Sequence, residues 1–314
     1  MNSISLSKSV RTRLARREVL TFPEPFYWTT SGIEELKQSV PDFRKHVCAR
    51  ALDTLNAPLA KTRLACDGDS WFDHPCVRDA MDWIEAGDFA VYRADAPGRL
   101  LSTMLKEKCY LRFLDDTTVR AMLLSGGGND LINWKRPSKD KPSPIFSKGG
   151  GSSKPEDFLN PSELDTALSS ITTLLREFAR DVWGKRPRLP IITHCYDWFV
   201  PRTSGPFGAW IGPQLDMVGA PRSSQLRGQI AKLLIDRANE AYARTCSDVG
   251  MIFVDLRGTT RERWYDEIHP SSEAFGDIVA KLIASIPKAG VQAKSRGPVK
   301  KKTGEKKPGT VRAR

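Results

Sequence analysis

An α/β fold, a parallel sheet with helices over both faces, is expected from two features of this 314-residue chain. Short apolar segments of strand length alternate with longer segments whose apolar residues recur every three or four positions. Strand and helix alternate along the whole central region, and that order builds parallel sheets. No internal repeat of fixed period interrupts it.

The elements follow in chain order. Residues 1–60 carry little periodic signal and are set aside as an N-terminal extension. Arg63-Leu64-Ala65-Cys66 is the first buried strand, followed by a helical pattern over 75–86 (Val77, Met81, Ile84). Phe89-Ala90-Val91-Tyr92 is the second, followed by a helix over 99–108 (Leu101, Met104, Leu105). Ala121-Met122-Leu123-Leu124 is the third. In 161–183 the residues Leu164, Leu168, Ile171, Leu175, Phe178 and Val182 form one stripe of helical period, with Asn160 placed to cap and Pro161 suited to the first turn. Leu189-Pro190-Ile191-Ile192-Thr193 is the fourth strand. After Ser223-Ser224, the spacing of Leu226, Ile230, Leu233, Leu234 and Ala241 predicts another helix. Met251-Ile252-Phe253-Val254 is the fifth strand. The last helix carries Phe275, Ile278, Val279, Leu282, Ile283 and Ile286, and Pro287 ends it. Residues 61–287 thus make one domain. The Lys-, Gly- and Pro-rich segment 288–314 cannot bury enough apolar surface to offset its ordering entropy and reads as a disordered basic tail.

Charge and composition narrow the function classes. The net charge is +12, yet residues 288–314 hold ten Lys or Arg against one acid, and residues 1–20 hold five against one. The body between them is nearly neutral, so a nucleic-acid or anionic-surface partner rests on the tail alone, which reads more simply as a solvated terminus. No apolar run approaches the ~18 residues of a membrane span. Arg16-Arg17 has the look of a twin-arginine signal, but the segment from Glu18 to Glu24 interrupts any hydrophobic region, so export is not expected. The six cysteines (Cys48, Cys66, Cys76, Cys109, Cys195, Cys246) are scattered, without a C-x-x-C pair or metal-ligand spacing. Reduced thiols, a cytoplasmic location and no metal or other cofactor are the expectations.

Chemistry-bearing residues gather at strand ends. The first strand runs into Asp67-Gly68-Asp69-Ser70-Trp71, where a tight turn could lift a serine hydroxyl out of the sheet as a nucleophile; turn chemistry alone also explains such tripeptides. The third strand runs into Ser125-Gly126-Gly127-Gly128-Asn129-Asp130. Its glycines allow close backbone approach and Asn129 brings an amide donor, but no phosphate-binding glycine signature opens a helix there, and a plain turn fits as well. Before the last helix, Asp266-Glu267-Ile268-His269-Pro270 spaces a carboxylate and an imidazole three apart, with Pro270 expected to start the helix. His46 reads as surface; His74 and His194 are either structural or line the cleft, and the structural reading is the first expectation. The segments 131–160 and 196–222 are long and hold Trp134, Phe146, Trp198, Phe199, Phe207 and Trp210. They either shape a substrate site or pack onto the body.

Taken together, Gly68-Asp69-Ser70, Gly98, Gly128-Asn129-Asp130 and Asp266-x-x-His269 resemble, in order and placement, the four blocks of the SGNH, or GDSL-like, hydrolase superfamily. The resemblance spans about 60–287, with the second block resting on one glycine. It implies a flavodoxin-like three-layer α/β/α sandwich on a mainly five-stranded parallel sheet, and ester hydrolysis through an acyl-enzyme. Ser70 would be the nucleophile, His269 the general base and then acid, and Asp266 its orienting partner. The N–H groups of Ser70 and Gly98 with the Asn129 side chain would form the oxyanion hole. Trp71 stands where the family has leucine. The implied substrate is a small-molecule, lipid or carbohydrate ester. Carboxylesterase action is the first expectation, carbohydrate O-acetyl esterase action the second, and a non-catalytic binding protein using the basic tail the third.

Overall fold

The computed structural model describes residues 60–138, 140–204 and 209–287. The N-terminal extension up to residue 59, the basic tail 288–314 and Phe207 lie outside the described residues, as do Cys48 and His46. Strands β1 (Thr62–Asp67), β2 (Phe89–Arg93), β3 (Met122–Leu124), β4 (Ile191–His194) and β5 (Ile252–Val254) form one sheet in the order β2-β1-β3-β4-β5. Every adjacent pair is parallel, and Ala65 faces Tyr92 on one side and Met122 on the other. This is the flavodoxin-like order, in which the chain winds away from β1 in both directions and leaves a crevice between β1 and β3.

The period of two along each strand divides its side chains between two cores. Leu64, Cys66, Val91, Leu123 and Ile192 face helices α1 (Ala80–Glu85) and α8 (Ser272–Ala284). Ala65, Tyr92, Met122, Leu124 and Ile191 face α2 (Leu101–Glu107), α3 (Tyr110–Phe113), α5 (Pro161–Lys185) and α7 (Ser224–Val249). The fold is therefore a three-layer α/β/α sandwich on a five-stranded parallel sheet, as expected. All five expected strands are present.

Helix ends differ from the periodic pattern where side chains cap them. The helix expected from residue 75 starts at Ala80, because Asp79 accepts from the Met81 and Asp82 amides while Asp82 reaches back to the Asp79 amide. Asn160 caps α5 and Pro161 opens it, as the sequence implied. Ser223 caps α7, which runs on past Ala241 until Gly250 adopts the left-handed conformation. The last helix does not begin at Pro270. Ser271 is its cap, accepting from the Ala274 amide, while Pro270 pairs with Trp264 in an isolated bridge.

The two long segments are partly structured. The first begins within α4 (Gly128–Ile132) and includes a 3₁₀ turn at Pro155–Phe158; the second includes α6 (Gly212–Met217). Phe146 and Phe199 are buried, whereas Trp198 is 36% exposed. The buried Gln214 holds the two segments together: its Oε1 accepts from Ser143 N at 2.7 Å and its Nε2 donates to Trp210 O at 2.8 Å. Among the described residues, no helix is long and apolar enough to cross a membrane.

Candidate active site

The carboxyl ends of β1 and β3 flank the crevice, and the site grows from the loops that leave them. After β1, the carboxylate of Asp69 organises the turn that carries Ser70. Asp69 Oδ1 accepts from Trp71 N (3.1 Å) and from the Ser125 hydroxyl (2.8 Å), and Oδ2 accepts from the Tyr196 hydroxyl (2.6 Å). Tyr196 in turn accepts from Gly128 N at 3.0 Å. One buried acid and one phenol thus join the loops after β1, β3 and β4. Gly128 is required there, since a Cβ would lie 2.5 Å from the tyrosine ring. Burial, with Asp69 beside it, pushes the Tyr196 phenol well up, so it remains a donor.

The loops after β2 and β3 are joined in the same way. Ala96 N donates to Gly68 O, drawing the Gly98 turn against the serine turn at 3.0 Å. Asn129 Nδ2 donates to Arg99 O at 3.2 Å, and Asp130 Oδ2 accepts from Leu101 N at 2.9 Å, supplying the cap that α2 lacks locally. The backbone N–H groups of Ser70 and Gly98 have no acceptor among the described residues. A cavity opens beside Ser70 and Asn129, walled by Leu131, Ile132, Phe199 and Ile235; Gly98 is outside its lining.

His269 must reach β1 from beyond β5, the far edge of the sheet. Asp197, at the exit of β4, holds the crossing chain by accepting from Gly258 N (2.6 Å) and Thr260 N (2.7 Å). The chain then folds back on itself, with Tyr265 N donating to His269 O at 2.8 Å. Asp266 Oδ1 accepts from the Ile268 and His269 amides at 2.9 and 2.8 Å, which fixes the turn. Its Oδ2 lies 2.7 Å from His269 Nδ1, and His269 Nε2 lies 2.8 Å from Ser70 Oγ. Burial alone would raise the Asp266 carboxyl; the His269 ring, His74 and the Ile268 amide outweigh it and hold it below its ordinary value. The three residues spaced along the sequence therefore form one continuous hydrogen-bonded chain, Ser70–His269–Asp266.

Five further side chains surround this chain. Trp71 is buried and donates its indole N–H to Ile268 O at 3.1 Å. His74 packs its ring against His269, 4.5 Å between centroids at 62°. Its Nδ1 accepts from Cys76 N and Val77 N, both at 3.2 Å, so the neutral tautomer carries its proton on Nε2. Burial, and then His269, push the His74 pKa well down, with Asp266 opposing. Trp210 stands edge-on to His269 at 5.4 Å and 85°. Glu267 is buried and binds the backbone that carries Trp210. His194 is buried, stacked on Trp71.

His74, Asp266 and His269 also bring one donor atom each within 4.8 Å of one another, the spacing a metal ion would need. Asp266 Oδ2 and His269 Nδ1 are already bonded together, and His74 Nδ1 holds two amides.

Fold and site define a doubly wound α/β protein with a serine, a histidine and an aspartate linked at its topological switch point. No protein-family model matches the chain, and no curated protein matches it in sequence. Solved structures that it is similar to include GDSL-like lipases. An extracellular lipase from Streptomyces rimosus is 12% identical over 72% of this chain and 100% of its own, with a TM-score of 0.49. A phospholipase A1 from Streptomyces albidoflavus is 14% identical over 72% and 100%, TM-score 0.45. An acetylxylan esterase from Geobacillus stearothermophilus, a catalytic mutant, is 12% identical over 75% and 97%, TM-score 0.41. What the site can do follows from its own atoms.

Proposed function

We propose that this protein is a serine hydrolase that cleaves carboxylic esters through an acyl-enzyme on Ser70. The observation that carries the reading is the pair of contacts on one imidazole: Nε2 at 2.8 Å from the Ser70 hydroxyl and Nδ1 at 2.7 Å from the Asp266 carboxylate. Neutral imidazole with its proton on Nδ1, directed at Asp266, presents an Nε2 lone pair to the hydroxyl.

In the first half-reaction, His269 Nε2 takes the Ser70 proton as Oγ attacks the ester carbonyl. Asp266 stabilises the imidazolium that results. The carbonyl oxygen becomes an oxyanion, received by the N–H groups of Ser70 and Gly98 and by the Asn129 side chain. Asn129 uses one amide hydrogen on Arg99 O, which fixes the plane of the group and leaves the other for the oxyanion. His269 then gives its proton to the departing alkoxide. Water repeats the sequence on the acyl-enzyme and regenerates Ser70.

A fluorophosphonate probe tests the reading. The expected result is a single labelled peptide containing Ser70 and loss of aryl-ester hydrolysis in step with labelling. Unlabelled protein, or a label elsewhere with hydrolysis retained, would reject it.

A further inference from the structure

Glu267 lies between Asp266 and His269 in the chain, yet its side chain serves neither. It is buried, and its two oxygens accept four backbone amides from the segment after β4. Oε1 takes Arg202 N at 2.9 Å and Gly212 N at 2.8 Å; Oε2 takes Ile211 N at 2.9 Å and also Trp210 N. A single carboxylate thus gathers residues ten apart around one point. The two lengths of chain meet closely there: a Cβ on Gly212 would sit 1.8 Å from Arg202 O. The carboxylate replaces, for four amides, the partners that a strand ladder or helix would otherwise supply. Burial raises the Glu267 carboxyl, opposed by those four N–H groups.

One of the four residues held by this clamp is Trp210, whose indole stands perpendicular to the His269 ring. The cavity beside Ser70 and Asn129 includes neither Trp210 nor His269 in its lining. The two faces of the proposed reaction are thereby separated. When the acyl C–O bond breaks, the acyl group stays on Ser70 Oγ, and the Nε2 proton passes to the alkoxide oxygen, which leaves as alcohol. That oxygen has to come within hydrogen-bond reach of Nε2, so the alcohol leaves on the imidazole side, past the indole.

We propose that Trp210, clamped by Glu267, is the alcohol-side wall of the site and selects esters by their leaving group, favouring alcohols that carry an aromatic or other flat apolar group. Trp210 is the specificity-determining residue and Glu267 the positioning residue behind it. This rests on the esterase reading above.

The test compares methyl acetate with benzyl acetate, which share their acyl group and differ in the alcohol. Trp210→Ala should lower kcat/KM for benzyl acetate about tenfold more than for methyl acetate, the scale of a lost apolar pocket contact. Trp210→Phe should restore most of the difference. Glu267→Gln, which turns one acceptor into a donor facing amides, should shift the ratio in the same direction, and Gly212→Ala provides a second way to open the clamp. An unchanged benzyl-to-methyl ratio in folded Trp210→Ala, with wild type active and labelled at Ser70, overturns this inference alone. Wild type that hydrolyses neither ester and takes no label at Ser70 overturns the esterase reading with it.

Discussion

The indole N–H of Trp71 donates to the carbonyl of Ile268 at 3.1 Å, so the residue after the serine is bonded to the residue before the histidine. The two loops come from opposite ends of the domain, and this bond sets their spacing at the point where the proposed proton transfer occurs. Trp71→Phe keeps an aromatic ring and removes the donor. It should cost about 1 kcal/mol in urea unfolding, the scale of one net hydrogen bond. Esterase kcat should fall about tenfold with little change in KM, because misplacement of reacting groups acts on the chemical step. A kcat equal to wild type would show that packing alone holds the loops together.

The serine and the asparagine should differ in how much their loss costs. Removing a nucleophile costs on the order of 10⁶ in turnover, and removing one oxyanion donor about 10² to 10³. Ser70→Ala should be inactive and unlabelled by fluorophosphonate. Asn129→Ala should still take the label, with kcat reduced on the smaller scale. Comparable kcat in the two variants would contradict the division of roles.

His74 buries a neutral ring against His269 and terminates two amides. Its pKa is lowered in the folded state, so the folded protein binds that proton less readily than the unfolded chain does. The associated stability is present above the ordinary histidine range and is lost as pH falls through it. His74→Phe should cost about 2 kcal/mol at neutral pH by stranding the Cys76 and Val77 amides. It should also remove part of the acid-side decline, so the gap between wild type and variant narrows on acidification. A constant gap from neutral pH down to pH 5 would argue that His74 does not titrate with unfolding.

Asp67, at the end of β1, has the opposite sign. Burial pushes its carboxyl up to about 8, against the Arg99 guanidinium 2.6 Å from Oδ1, and Oδ2 has no partner. Because the folded state holds this proton more tightly, the group's stabilisation is complete below the unfolded pKa near 4 and drains away as pH rises towards about 8. Asp67→Asn should flatten the fall in denaturant midpoint across that interval. A variant whose midpoint tracks wild type at every pH would remove Asp67 from the account.

The strands were legible because each is short and rich in apolar residues, and their strand-then-helix order carries the parallel topology. Ser70 and the Asp266–His269 pair were legible because each sits in a turn directly after a strand or before a helix, and Asn129 because it opens a short helix directly after β3; at such places local sequence determines conformation. The start at Ala80 was read too early because apolar periodicity reaches back to Val77, past the capping Asp79; that at Ser272 was read too early because Pro270 suits a first turn, whereas Ser271 is the residue whose side chain caps the helix. Trp71, His74, Tyr196 and Glu267 gave no local signal. Their partners lie far along the chain or in turns whose shape only the folded backbone sets: Tyr196 meets Asp69 across 127 positions, and Glu267 meets the Arg202 and Gly212 amides across 65 and 55. No periodicity records such pairs.

Gln214 has a consequence for protein engineering. Its side chain, in the second long segment, donates to Trp210 in its own segment and accepts from Ser143 in the first. A chimera that imports either segment singly would inherit half of a handshake and leave the buried Ser143 amide or the Gln214 carbonyl stranded. The two segments should therefore be transplanted as a matched set, and libraries that recombine them as one cassette should yield more folded members than libraries that shuffle them separately.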